Sequence, residues 1–427
     1  MLSQEVREIG GILFHDGRAV DLVQDTDGAL KLIDSRRKNP VESIEVADRT
    51  YVPPSVSPPH FEIMTLPSGR SAYGSAAELF QKIHSLFVDH GFSGEAARPM
   101  TFFAIATWFL DVLPITPSLR IYGPQPEAHL ALQLLALVVR HGLLLADINQ
   151  AAFRQLPLFL QLTLLIEGKD PSVDALLSAS TYPGGYVRVG DGFIDPCCAT
   201  AIYEGNGVGT VSCDQPTLSV TLSPCQKKFP MLNDAGRRAI AADLQPRMLD
   251  YRFTHVARLP ESDFDIPGLS PSLRIVARML GACIFGAPEL QASITAMLDH
   301  QHELIRSQHW INPRHALESL LVQCHRFPGP IRVGVGELAT TANEIFADRK
   351  EATQLEAKAV GNLLRELGFV PTRDSGGYNL RLTEDLRRQI HIRARDYQII
   401  EDQRDANCPL CAEEPVDGDP GENARVA

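Results

Sequence analysis

The feature that most constrains the fold of this chain is an alternation of short apolar segments with helical segments between Ser118 and Leu222. Parallel neighbouring strands need a crossover connection, usually a helix, whereas antiparallel neighbours can be joined by a short turn. The alternation therefore predicts an α/β fold with a mostly parallel sheet and helices on both faces. The expected strands are Ser118–Tyr122, Leu143–Ala146, Leu162–Ile166, Ala199–Tyr203 and Leu218–Leu222, the expected helices are Glu127–His141, Gln150–Leu156 and Pro171–Ala179, and a hairpin is expected at Gly185–Ile194.

The rest of the chain divides around this sheet. Apolar residues recur at helical spacing in Ala76–Asp89, and Thr101–Leu113 is apolar almost all round, so both predict helices that precede the sheet. Short strands are expected at Gly11–Phe14 and Ala19–Val23, forming at most a small β unit. The predicted segments are an N-terminal segment with a Pro-rich linker (1–60), the α/β core with its preceding helices (61–232), a helical region (233–328), a C-terminal domain (329–400) and a disordered acidic tail (401–427).

The composition excludes several classes of protein. A net charge of −12 argues against binding nucleic acid over the whole surface, because phosphate binding needs clustered Lys and Arg, although a local DNA-contacting face is still allowed. The most apolar stretches, such as Thr101–Leu110 and Leu156–Ile166, are shorter than the ~20 residues of a membrane-spanning helix. Met1–Leu13 has no basic region followed by an apolar stretch, so we expect no secretory signal, and the scattered cysteines are typical of reduced thiols. We therefore expect a cytoplasmic protein that does not bind membranes.

The turn after the first core strand has the layout of a phosphate-binding loop. Such a loop needs Gly-x-x-x-x-Gly-Lys-Ser/Thr, so that backbone N–H groups and the Lys hold phosphates and the hydroxyl holds magnesium. Gly123 fills the first position, but Ala128, His129 and Leu130 stand where the second glycine, the lysine and the hydroxyl residue belong. Two prolines in the loop also remove amide donors. The sequence therefore predicts a turn in the position of a phosphate-binding loop that lacks the residues needed to bind phosphate.

The strand that would bind magnesium is similarly incomplete. In an ATPase an apolar strand leads into Asp-Glu, the first for the metal and the second for the attacking water. Here Leu162–Ile166 leads into Glu167 and Gly168, so Glu167 could reach a cation but no second carboxylate follows it directly. Asn206 falls where many such ATPases place a polar residue that senses the γ-phosphate. The resulting candidate remnants of a nucleotide site are Gly123, His129, Glu167 and Asn206.

The order of these elements resembles the helicase-like P-loop ATPases of bacterial mobile elements and phages that are attached to primases. The resemblance runs from about Leu66 to Ile399 and is one of layout more than of motif. It implies a P-loop-like core, a helical region and a winged helix, but not ATP hydrolysis, because the motif residues are replaced. We expect a degenerate core without a cofactor. Two alternatives stay open: an α/β domain that never bound a nucleotide, and a working site in which His129 and Glu167 bind ATP and magnesium.

The C-terminal domain is predicted to be a winged helix-turn-helix. Val335–Phe346 and Gln354–Leu367 each place apolar residues on one face, and Gly368 ends the second helix. Two strands around a glycine turn follow, and Thr383 can cap a final helix. Two helices followed by a hairpin form the winged variant of the motif, which the mobile-element proteins also carry at their C-termini.

A DNA-binding version of this domain would use the outer face of the second helix and the hairpin, or wing. Basic and acidic residues are equal in number from Ile331 to Arg404, and winged helices also bind proteins. DNA is the favoured partner because the segment is less acidic than the rest of the chain. The expected contact residues are Gln354, Lys358, Asn362 and Arg365 on the helix and Arg373 and Arg381 on the wing.

Cys408 and Cys411 have the two-residue spacing of half a zinc site. A structural zinc ion needs four ligands, and the chain has no second pair with this spacing. An unstructured tail is therefore the preferred interpretation, with zinc as the alternative.

These features predict a non-catalytic, DNA-associated scaffold or regulatory protein. The eroded ATPase core would bind protein partners or further copies of the chain, and the winged helix would contact DNA. The alternatives are an active NTPase or helicase-like protein of a mobile element, and a pure protein-interaction subunit of a larger complex.

Overall fold

The computed structural model divides the chain into two compact units, residues 1–305 and 306–427. The division falls inside the segment 233–328 that was expected to form one helical region. The structure describes residues 5–25, 27–37, 39–46, 48–54, 64–189, 192–205, 215–225, 232–307, 313–349, 354–374, 377–397, 399 and 405–412.

The first unit begins with six short strands: β1 (Glu5–Glu8), β2 (Gly11–Leu13), β3 (Ala19–Gln24), β4 (Leu30–Asp34), β5 (Ile44–Val46) and β6 (Arg49–Val52). They form two three-stranded sheets, an antiparallel β2-β3-β4 and a mixed β1-β6-β5. The two expected strands are present as β2 and β3, but the expectation of at most a small β unit is wrong in extent, because β1, β4, β5 and β6 were not expected. Residues 19–23 are buried on both faces, so β3 lacks the alternation that marks a half-exposed strand. Most of the expected Pro-rich linker lies outside the described residues.

Two helices precede the central sheet, α1 (Ala76–Asp89) and α2 (Gly94–Thr107). Ser75 and Glu78 form a capping box at the start of α1. The Ser93 hydroxyl accepts a hydrogen bond from the Ala96 N–H, which begins α2 seven residues before the expected Thr101. The expected helix at Thr101–Leu113 is therefore wrong at both ends, although its apolar residues are buried as predicted.

The central sheet has five strands, and all of them are parallel. In order across the sheet they are β13 (Leu218–Thr221), β7 (Ser118–Tyr122), β12 (Ala199–Tyr203), β9 (Thr163–Ile166) and β8 (Gly142–Leu145). This arrangement confirms the α/β class and the mostly parallel sheet. Leu165 belongs to one hydrophobic cluster and its neighbours Leu164 and Ile166 to another, as expected where both faces are covered. The elements between these strands are α3 (Gln125–Ala136), α4 (Gln150–Phe153), α5 (Asp174–Ala179) and the hairpin β10 (Val187–Val189) and β11 (Gly192–Ile194).

Three helices follow the sheet: α6 (Asp234–His255), α7 (Pro271–Ala282) and α8 (Pro288–Ser307). The Gln245 side chain on α6 donates hydrogen bonds to the carbonyl oxygens of Leu137 and Val139, at 3.1 and 3.2 Å. These carbonyls follow the end of α3 and have no partner within that helix. Gln245 is buried, so it satisfies backbone acceptors that water cannot reach.

A buried network of charges connects the N-terminal strands to the core of the first unit. Asp21 on β3 lies 2.9 Å from Arg140 Nε and 3.0 Å from Arg252 Nε. Arg252 in turn donates two hydrogen bonds to the Asp111 carboxylate, at 2.7 and 2.6 Å. All four side chains are at most 6% exposed. Two carboxylates balance two guanidinium groups, an arrangement that buried charges require.

The second unit contains α9 (Pro313–Arg326), β14 (Ile331–Gly334), α10 (Val335–Asp348), α11 (Ala357–Glu366), β15 (Thr372–Asp374), β16 (Gly377–Leu382), α12 (Glu384–Asp396) and α13 (Pro409–Ala412). Its antiparallel sheet has the order β14-β16-β15. The two expected helices, the hairpin and the final helix are present. The helix α9, expected at the end of the helical region, instead contributes Leu317, Leu320 and Leu321 to the core of this unit.

Part of the tail that was expected to be unstructured is folded. Residues 405–412 form a tight turn, in which the Cys408 N–H donates to the Asp405 carbonyl and the Cys411 N–H to the Cys408 carbonyl, both at 3.1 Å. The expectation of disorder is therefore wrong for this stretch. Among the residues that the structure describes, no helix is both long enough and apolar enough to cross a membrane.

Candidate functional site

The turn after β7 lies at the edge of the sheet where parallel α/β sheets bind ligands. β7 has β12 on one side and β13 on the other. After β7 the chain continues to β8, the outermost strand on one side of the sheet, and it ends the sheet at β13, the outermost strand on the other side. A reversal of this kind opens a crevice outside the carboxyl ends of the strands. Gly123, the first residue after β7, therefore has the position expected of a ligand-binding turn.

The backbone of Gly123 is nevertheless engaged within the protein. Its N–H donates to the Gly205 carbonyl, and its carbonyl accepts from the Tyr203 hydroxyl, both at 3.0 Å. Gly123 has a φ of +124°, and a Cβ here would lie 2.4 Å from the Leu222 carbonyl oxygen. A glycine is required because the turn packs closely on the end of β13. This requirement explains Gly123 without a phosphate.

His129 and Glu167, the second and third candidate remnants, contact each other. The His129 Nδ1–H donates to the Glu167 carboxylate at 2.9 Å, and the Gln133 amide donates to His129 Nε2 at 2.6 Å. Gln125 also donates to the Glu167 carboxylate, at 3.4 Å. Both ring nitrogens of His129 therefore have protein partners, and Glu167 accepts from two side chains. The fourth remnant, Asn206, lies outside the described residues.

The same edge of the sheet carries charged residues that the sequence analysis did not single out. Arg120 on β7 forms an ion pair with Glu204, which directly follows β12. Lys169 pairs with Asp174, and its Nζ lies 3.8 Å from Glu204. Lys169 and Glu204 each lie within three residues of the carboxyl end of a core strand, and that position was the available signal. A triphosphate here would compete with carboxylates that already neutralise both cations.

In the second unit, the six expected DNA-contact residues are all exposed. Lys358, Asn362 and Arg365 follow one another at spacings of four and three along α11 and therefore share one face. The opposite face contains the buried residues Val360, Leu363 and Leu364. Gln354 lies three residues before the helix begins. The helix thus presents a polar, basic face to solvent.

An exposed tyrosine joins this face of α11 to the wing. The Arg365 guanidinium lies 5.7 Å from the centre of the Tyr378 ring, and that of Arg373 lies 5.9 Å from it. Tyr378 is on β16 and directly opposite Arg373 on β15. Both distances are within the range of cation–π interactions. The α11–wing surface, defined here as Lys358, Asn362, Arg365, Arg373 and Tyr378, is therefore continuous.

Arg381 does not belong to the α11–wing surface. Side chains alternate between the two faces of a strand, so Tyr378 and Arg381 on β16 point to opposite faces. Arg381 is paired in register with Arg332 on β14, and both are exposed. Arg373 and Arg381 both lie in the β15–β16 hairpin that the sequence predicted, but only the strand register separates their faces.

The second unit also brings four potential metal ligands together. Cys408 Sγ lies 3.3 Å from His391 Nε2, and Cys411 Sγ lies 3.2 Å from His325 Nε2. All four ligand atoms are within 4.8 Å of one another. Burial lowers the pKa of both histidines and raises the pKa of the Cys411 thiol. The sequence identified the two cysteines but missed the histidines, because these come from α9 and α12, far away along the chain.

Comparisons with known proteins do not assign the chain to a family. No family model and no curated protein matches it. Among solved structures it is similar to the apo form of the NrS-1 C-terminal region, with 10% identity, 85% of this chain and 96% of that chain covered, and a TM-score of 0.33. It is also similar to a chain of Drosophila ORC bound to DNA, with 11% identity, coverage of 69% and 84%, and a TM-score of 0.17. TM-scores this low do not establish a common fold.

Proposed function

We propose that this protein is a DNA-associated scaffold or regulatory protein that contacts DNA through the α11–wing surface. The observation that carries the proposal is the grouping of Lys358, Arg365 and Arg373 beside an exposed tyrosine, with Asn362 on the same face. Arg and Lys bind phosphates, whereas Asn and Arg also read base edges in the major groove. The charges and hydrogen-bonding groups of this surface are therefore complementary to the phosphates and base edges of duplex DNA.

The architecture of the second unit supports the proposal. The order of α9, β14, α10, α11 and the β15–β16 hairpin agrees with the order expected of a winged helix-turn-helix, and we propose that the second unit is one. Asn343 on α10 donates to the Leu355 carbonyl at 3.1 Å and accepts from the Leu355 N–H at 2.7 Å. This double hydrogen bond anchors the segment that leads into α11. A second helix held in this way can enter the major groove with its first turn, which contains Lys358, next to the bases, and Gln354 just before the helix would lie near them.

The α/β core of the first unit would serve as the scaffold. The Gly123 N–H is hydrogen-bonded to Gly205, and His129 is hydrogen-bonded to Glu167, so these candidate phosphate and metal ligands already have partners within the protein. We therefore propose a degenerate P-loop-like core that hydrolyses no nucleotide. The competing function is an NTPase in which Glu167 binds magnesium. Radiolabelled ATP turnover by the full chain that is lost in Glu167→Gln would overturn our assignment.

DNA binding by the α11–wing surface is tested with two matched double variants of the full chain. Arg365→Gln with Arg373→Gln removes two charges from the surface, and Arg332→Gln with Arg381→Gln removes two from the other face of the same sheet. Affinity for a fluorescent DNA duplex is measured by anisotropy at several salt concentrations. The slope of log K against log salt is negative, and each lost phosphate contact makes it about 0.9 less negative. The first variant should therefore change the slope by about 1.8 towards zero and bind about tenfold more weakly or worse.

The matched variant Arg332→Gln with Arg381→Gln should bind within about twofold of the unmodified chain, since surface charges off the interface act only through a screened field. Equal losses in both double variants would show that the α11–wing surface is not the contact. Absence of binding by the full chain even at low salt would remove DNA as the partner. The protein-interaction alternative would then take its place.

A further inference from the structure

The cluster of His325, His391, Cys408 and Cys411 has the composition of a structural zinc site. Two imidazoles and two thiols are the ligand set of a closed, four-coordinate site, and this combination of soft sulfur and nitrogen donors favours zinc over calcium or magnesium. His391 and Cys411 are buried, and the other two ligands are half-buried. We propose that the second unit binds one zinc ion through these four side chains.

The distances are those of a site close to tetrahedral. With Zn–S of about 2.3 Å and Zn–N of about 2.0 Å, neighbouring ligand atoms in a tetrahedron lie roughly 3.3–3.8 Å apart. The two sulfur-to-nitrogen distances of 3.3 and 3.2 Å are at and just below the short end of this range. The largest separation among the four atoms is at most 4.8 Å, about 1 Å above the range. Small side-chain rotations would bring all four atoms to one ion.

A backbone contact orients one of the ligands. The Nδ1–H of His391 donates to the Arg387 carbonyl at 2.8 Å, so its Nε2 carries the lone pair, and this nitrogen faces Cys408. Histidines that bind metals commonly donate their other N–H to a carbonyl or carboxylate in this way. Two thiolates would balance the charge of a zinc ion in a site that is largely shielded from water.

The turn at residues 405–412 supplies the second pair of ligands in the required geometry. The Cys411 N–H donates to the Cys408 carbonyl, which folds the two thiols towards the same point. Cys-Pro-Leu-Cys could instead form a disulfide, as in redox motifs. The histidine facing each sulfur favours the metal, because a disulfide needs neither imidazole.

The zinc ion would fasten three separate parts of the second unit. His325 is in the last turn of α9, His391 is in α12, and the cysteines follow at 408 and 411. Metal binding to residues that are far apart in sequence becomes folding free energy, because the site does not exist in the unfolded chain. The metal would hold the turn at residues 405–412 against α12. The proposal is independent of whether the α11–wing surface binds DNA.

The zinc content of the full chain tests the proposal directly. The protein is purified without added metal or chelator and analysed by atomic emission, and we expect about one zinc ion per chain. Cys408→Ser with Cys411→Ser, and separately His391→Ala, should reduce this to near zero. The control Cys197→Ser changes a half-buried free cysteine of the first unit and should leave the zinc content unchanged.

Cobalt substitution provides a readout on the unmodified chain, in case a variant fails to fold. Cobalt(II) with two thiolates and two imidazoles in a tetrahedron should give intense visible d–d absorption and a thiolate charge-transfer band, and added zinc should abolish both. An octahedral cobalt spectrum, a zinc content near zero that zinc addition does not raise, or a Cys408–Cys411 disulfide found by mass spectrometry would each overturn the proposal. Unchanged zinc content in the double cysteine variant would overturn it as well.

Discussion

Replacing Asp21 with Asn tests whether the buried charge network holds the N-terminal strands to the core of the first unit. Asn has the shape of Asp, so the change removes the charge and creates no cavity. Asp21 is 1% exposed and contacts Arg140 and Arg252, both fully buried. The variant leaves Asp111 alone to balance two guanidinium groups. Removing one partner of such a buried pair costs about 3–5 kcal/mol of the free energy of unfolding.

The stability of Asp21→Asn should also depend less on pH. Burial by itself raises the pKa of Asp21, but the Arg140 guanidinium, the His141 hydrogen bond and the Arg252 guanidinium together hold it well below its ordinary value of 3.8. A carboxyl with a depressed pKa in the folded state stabilises the fold above its unfolded pKa, and this contribution is lost as the pH falls. The difference in stability between the two proteins should therefore be full above about pH 4 and shrink at lower pH.

Urea unfolding followed by tryptophan fluorescence measures this effect. Trp108 is buried in the first unit, and replacing the only other tryptophan, Trp310, with Phe makes the signal specific for it. The control is Asp265→Asn, because Asp265 forms a partly exposed ion pair with Arg274. The free energy of unfolding of this variant should fall by about 1 kcal/mol or less. A loss below about 1 kcal/mol in Asp21→Asn would refute the reasoning, because the orphaned guanidinium charge would then cost no more than a surface pair.

Two further substitutions test single packing features. In the second unit, Glu318→Gln should cost about 3 kcal/mol of the free energy of unfolding at pH 7. Burial raises the pKa of Glu318, but His315 at 3.8 Å and the hydrogen bonds from Arg349 and Arg314 together lower it to about 2. The loss should fade as the pH drops from about 4.5 towards 2, as thermal unfolding across that range would show. In the first unit, Gly123→Ala should lower the free energy of unfolding in urea by about 1–3 kcal/mol, because a Cβ would clash with the Leu222 carbonyl oxygen. A decrease below about 0.5 kcal/mol would contradict the close packing of this turn.

The regular elements were largely predictable because their signals are local. Helical spacing of apolar residues and short apolar strands predicted the parallel core, the two helices α10 and α11, and the β15–β16 hairpin that follows them. Prediction was poorest at residues 30–52, where the short strands β4, β5 and β6 were not expected. Helix ends were also misplaced, since the start of α2 depends on the Ser93 cap and not on the apolar pattern.

The sites were predictable only in part. The turn at Gly123 was placed at the carboxyl edge of the sheet, but its internal hydrogen bonds to Gly205 and Tyr203 depend on residues some 80 positions away. The polar face of α11 was predicted from helix periodicity, whereas the contacts of Tyr378 with Arg365 and Arg373 and the exclusion of Arg381 needed the tertiary structure.

The sequence by itself determined the α/β class, the absence of phosphate-loop motif residues after Gly123 and the polar face of α11, because each follows from the order of neighbouring residues. Only the tertiary structure decided that Asp21 meets Arg140 and Arg252, and that His325 and His391 meet Cys408 and Cys411. The physical reason is that charge pairing and metal coordination act between side chains over a few ångströms of space, and folding sets those distances independently of separation along the chain.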